Sequence, residues 1–80
     1  MKVYVLRQSL VCGYDTYDSA VVIAEDEESA RDICPDPYQE EGELFPSWVS
    51  KKDRDQIDVE YLGETEITTP QLVLASFNAG

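Results

Sequence analysis

Histidine is absent from this 80-residue chain, and cations are scarce: six Lys and Arg stand against 17 Asp and Glu. The missing imidazole removes the commonest general base, the commonest transition-metal ligand and every triad that turns on histidine. The shortage of cations argues against direct binding to nucleic-acid phosphates or to an anionic membrane, since both need a basic surface. Only two cysteines occur, Cys12 and Cys34, too few to complete a four-ligand zinc site without histidine. The four glycines are scattered at 13, 42, 63 and 80, so no glycine-rich phosphate loop is present. No apolar run approaches the roughly 18 residues that a membrane span needs. The chain opens directly on a strand pattern, Met1-Lys2-Val3-Tyr4-Val5-Leu6, rather than on a secretory leader. A cytoplasmic protein with both thiols reduced is the expectation. Each cysteine is expected as a small buried core residue, because Arg31 near Cys34 is the only cation placed to activate either thiol.

What the chain does contain is enough to fold. Apolar residues make up 42% of it, with five Tyr, two Phe and one Trp, which is too apolar for a disordered segment despite the charge. Eighty residues make one domain, 1–80, with a thin core, since a chain of this size buries only about 60–65% of its unfolded surface.

Residues 2–11 are rich in β-branched and aromatic types and read as a first strand. Gly, Asp and Thr in 13–18 form a turn, and the short apolar run 19–24 is a second strand, giving a hairpin. Residues 25–34 read as a helix of two to three turns. Asp26 is its N-cap, acids fill its first turn, and Ala30, Ile33 and Cys34 make a narrow apolar face. Pro35 and Pro37 end it. Residues 35–56 are irregular, with Tyr38, Leu44, Phe45 and Trp48 interspersed among acids and a short helical turn expected near Ser47–Val49. Residues 57–62 alternate, with Ile57, Val59 and Tyr61 on one side and Asp58 and Glu60 on the other, and 71–77 supply a last strand. The order β-β-α-β-β predicts an α+β domain, an antiparallel sheet with one short helix packed on one face.

No nucleophile, base and metal set converges, so a non-enzymatic protein with no cofactor and no metal is expected. Asp53-Arg54-Asp55-Gln56-Ile57-Asp58, with Glu64 twelfth, has a calcium-loop spacing but carries Asp58 where glycine is needed and Ile57 where a ligand is needed. The distinctive feature is segregation of charge. Glu25, Asp26, Glu27, Glu28, Asp32, Asp36, Glu40, Glu41 and Glu43 are opposed over 25–43 by Arg31 alone, nine charges against one, while the last fourteen residues carry none. These acids are the candidate binding residues, with Phe45 and Trp48 as apolar anchors. Against this stand a solvated acidic face that only confers solubility, and aromatics that only roof a thin core. Lys51, Lys52 and Arg54 are placed to neutralise part of the field.

The segments KVYVL (2–6), YDTYD (14–18), VVIA (21–24) and EDEESAR (25–31) resemble the opening of small acidic phage- and prophage-encoded proteins, a likeness that covers about the first 35 residues. Such proteins include anti-CRISPR proteins and other DNA mimics that inhibit host defence. The resemblance implies a binding inhibitor with an acidic, nucleic-acid-mimicking surface, directed at a basic partner such as a nucleic-acid-binding defence complex. It brings no catalytic residues with it. Two alternatives stay open: an antitoxin-like inhibitor of a basic toxin, and a structural or assembly protein that forms a homodimer through Leu72, Val73, Leu74, Ala75 and Phe77 of its uncharged last strand.

Overall fold

A computed structural model describes residues 1–40, 42 and 44–78. Strand β1 (Lys2–Arg7) pairs antiparallel with β2 (Thr16–Ala24), from Lys2 opposite Ala24 to Arg7 opposite Ser19. Helix α1 (Glu27–Arg31) follows, then a long irregular segment, a 3-10 helix (Lys51–Gln56), and strands β3 (Asp58–Glu64) and β4 (Gln71–Asn78). The four strands form one antiparallel sheet in the order β3-β1-β2-β4, so the expected α+β architecture is present.

The last two strands occupy opposite edges, and residues 65–70 must carry the chain across the two central strands. Three strand spacings amount to about 14 Å, within the roughly 20 Å that six extended residues reach. The crossing is pinned at the start of β1. The Thr65 amide donates to the Met1 carbonyl at 2.9 Å, and the Met1 ammonium donates back to the Thr65 carbonyl at 3.1 Å.

Period-two alternation builds the core on one face of the sheet. Tyr4 and Leu6 from β1, Ala20, Val22 and Ala24 from β2, and Ile57 just before β3 are buried there, with Val59 packed against them. Ala30 of α1 and Trp48 of the long segment join the same buried cluster; Trp48 is 1% exposed. The reverse face holds the alternate positions. One row across it, read from the pairing, runs Glu60, Val5, Val21, Leu74.

Several boundaries differ from the sequence expectation. The first strand ends at Arg7 rather than at residue 11, because Gln8 folds the chain back. Its amide nitrogen donates to the Val11 and Tyr17 carbonyls, both at 2.7 Å, and its amide oxygen accepts from the Val11 N–H at 2.8 Å. The second strand starts three residues early and absorbs Asp18 in a register irregularity opposite β4. The helix keeps its Asp26 cap but spans five residues. Asp32 N–H to the Ser29 carbonyl and Ile33 N–H to the Ala30 carbonyl tighten the last turn to i,i−3 bonding and stop it ahead of Pro35. No helical turn forms at Ser47–Val49; the turn lies later, at Lys51–Gln56. Tyr61, expected inward, is half exposed at the β3 edge, with its ring edge-on to Tyr4 at 5.9 Å. Both cysteines are exposed rather than buried, since each lies in a loop beyond the end of the strand or helix that would have carried it inward.

Candidate protein-binding surface

Gln39 and Asp36 bind the backbone and side chains of the long segment. The Gln39 amide oxygen accepts from the Ser47 N–H at 2.9 Å and the Trp48 N–H at 2.8 Å, and its nitrogen donates to the Trp48 carbonyl at 2.9 Å. Asp36 accepts from the Tyr38 N–H at 2.9 Å and from the Ser47 hydroxyl at 2.7 Å. The Ser47 carbonyl in turn accepts from the Tyr17 N–H at 2.8 Å, which fastens this clamp to β2. Trp48 is thereby drawn into the core.

The same arrangement leaves the residues just before the clamp outside. Leu44 and Phe45 are 82% and 85% exposed, and with Pro46 they face Leu10, Cys12 and Tyr14 of the β1–β2 loop across an open groove of about 580 Å³. Leu10, Val11 and Pro46 also border a second groove of about 780 Å³, whose far wall includes Glu40, Lys52 and Asp53. Apolar side chains this exposed and this close together are uncommon on a solvated surface. Asp15 at the rim of the first groove and Glu40 and Asp53 in the second set carboxylates beside the apolar contact.

The expected acidic residues fall into distinct settings. Glu25 is exposed at the end of β2, and Asp26 caps α1, its Oδ1 accepting from the Ser29 N–H at 2.8 Å. That bond, with the Ser29 hydroxyl, holds the Asp26 carboxyl below its ordinary pKa. Glu27 and Glu28 pair with Arg31 at 3.7 and 3.4 Å; Glu28 also pairs with Arg54 at 3.1 Å, and Arg54 reaches Asp32. The helix and its flanking residues therefore present five carboxylates, Glu25, Asp26, Glu27, Glu28 and Asp32, beside the guanidinium groups of Arg31 and Arg54, and not a bare row of negative charge. Asp36 is engaged in the clamp. Glu40 lies in the groove wall, while Glu41 and Glu43 lie outside the described residues. Of the two aromatic anchors, Phe45 is on the surface and Trp48 is not: the clamp has committed the indole to the core. Leu10, Tyr14 and Leu44 join Phe45 at the groove beyond the residues that the sequence singles out for binding. The signal for Leu10 was the polar pair Gln8-Ser9, which breaks the strand pattern before it.

Among the described residues no three His, Cys, Asp or Glu side chains cluster so as to hold a metal ion, and no helix is long and apolar enough to cross a membrane. The segment with calcium-loop spacing is the 3-10 helix running directly into β3. Cys34 donates to the Asp36 carbonyl at 3.3 Å; partial burial of its sulfur, with the Asp36 carboxylate adding to it, pushes the thiol pKa up, against nucleophile behaviour. No protein-family model, curated protein or solved structure matches the chain.

Proposed function

We propose that this is a non-enzymatic binding protein that inhibits a basic partner protein by seating an apolar segment of that partner in the groove between Leu10, Tyr14, Leu44 and Phe45. The observation that carries the reading is the exposure of these four side chains around one groove in a chain of net charge −11. An apolar centre supplies contact area, and a carboxylate rim and the overall field supply steering toward a basic surface. A nucleic-acid-binding complex of host defence is the partner class proposed. Its support is the density of acids from Glu25 to Glu40 and the likeness of residues 2–31 to acidic phage proteins. Action in the cytoplasm fits two exposed free cysteines, which an oxidising compartment would not leave unpaired.

The test is capture from host lysate on immobilised wild type and on Phe45→Ala, at low and raised salt, with DNA as competitor. A partner that is lost on raising salt, lost with Phe45→Ala and displaced by DNA supports the proposal. Retention that is indifferent to salt and to Phe45 overturns it. Loss by salt and by Phe45→Ala without displacement by DNA keeps the basic partner and removes the nucleic-acid-binding class.

A further inference from the structure

We infer that β4 is a self-association edge, along which two copies of this chain join antiparallel to make one eight-stranded sheet. The inference rests on the two sheet edges and not on the groove.

An edge strand turns the N–H and C=O of alternate residues away from its single neighbour, and monomeric proteins blunt such edges with charge or cover. The β3 edge is blunted: Asp58, Glu60 and Glu64 lie along it. The β4 edge is not. Its eight residues, Gln71–Asn78, carry no charge, and nor does any residue from 67 onward. Helix α1 packs against β1, β2 and β3, whereas the neighbour of β4 is β2. Leu72, Val73, Leu74 and Phe77 are 38%, 53%, 68% and 48% exposed, so apolar side chains of the strand remain open to solvent, although Ala75 packs against the core and Phe77 against Tyr17.

Charge selects a second copy as the occupant. Two chains of −11 repel each other at most approaches, and the uncharged strand is where they meet without setting one carboxylate opposite another. A two-fold axis perpendicular to the sheet at Leu74 sets the two Leu74 side chains opposite each other and matches residues 71–77 of one copy with 77–71 of the other. Pairing of this kind also closes. It uses β4 of both copies and leaves an acidic β3 at each end of the enlarged sheet, where like charges oppose further growth.

Sedimentation equilibrium of the purified protein over about 1–200 µM tests this, since a dimer's mass depends on concentration. Twice the chain mass is expected at the upper end, with tighter association at high salt, where repulsion between the two acidic chains is screened. That direction is opposite to the salt effect on a basic partner, so the two proposals fail separately. Leu74→Lys, at an exposed site, raises the dissociation constant at least about tenfold by placing like charges at the two-fold axis. Phe45→Ala leaves the dimer intact. Should Leu74→Lys fail to fold, hydrogen exchange of wild-type β4 amides decides: protection that rises with protein concentration supports pairing. A monomer at every concentration and salt, a dimer indifferent to Leu74→Lys, or β4 exchange independent of concentration overturns the inference.

Discussion

Replacing Gln39 by alanine removes the amide on which the order of the long segment depends. Three hydrogen bonds to the backbone of Ser47 and Trp48 are lost, at 2.9, 2.8 and 2.9 Å. All three are partly buried, so water replaces some of them. At about 1 kcal/mol net each, the loss is about 2–3 kcal/mol. For 80 residues at roughly 0.05–0.15 kcal/mol per residue, total stability is about 4–12 kcal/mol, so this one amide carries a large share of it. Trp48 is the only tryptophan in the chain, and it sits at the end of the clamp, so its fluorescence follows the event directly. In urea, with a slope of about 1 kcal/mol per molar for a small domain, the midpoint falls by about 2–3 M. Emission before the transition shifts red if the clamp opens while the sheet stays folded. A loss below about 0.5 kcal/mol with unchanged emission would refute the clamp as the cause of Trp48 burial.

Trp48→Ala destabilises the domain by about 3–5 kcal/mol through lost transfer energy and the cavity left behind, read by circular dichroism because the fluorophore is gone; Phe45→Ala stays within about 0.5 kcal/mol of wild type in the same assay. Asp26→Ala lowers the melting temperature and Asp26→Asn restores most of it, since asparagine also caps. Because the Asp26 pKa is depressed in the folded state, its contribution is present above the ordinary value of 3.8 and is lost as pH falls through the lower folded value; acid unfolding of Asp26→Asn is correspondingly flatter in that window. Arg54→Ala removes two exposed ion pairs, with Glu28 and Asp32, and costs under about 1 kcal/mol, a difference that vanishes in high salt when melting curves are compared.

Local chemistry sufficed for much of the architecture. The β-branched runs, the Asp26 cap with acids behind it, the prolines after the helix and the alternation at 57–62 each act through near neighbours, so strand, cap and turn types were legible from the chain alone. So was the neutral C-terminal strand, because charge is a property of residue identity. What the chain could not express locally was decided by partners distant in sequence. Gln8 ends β1 by bonding Tyr17, Gln39 captures residues eight and nine positions away, and that capture sends Trp48 inward while leaving Phe45 in solvent. Two aromatics three residues apart look equivalent in sequence, and only the hydrogen bonds of the backbone between them separate core from surface. The pairing of Arg54 with the helix acids, the exposure of both cysteines, and the placement of charged β3 and neutral β4 at opposite edges likewise belong to the tertiary structure, because strand order is set by how the whole sheet closes over its core.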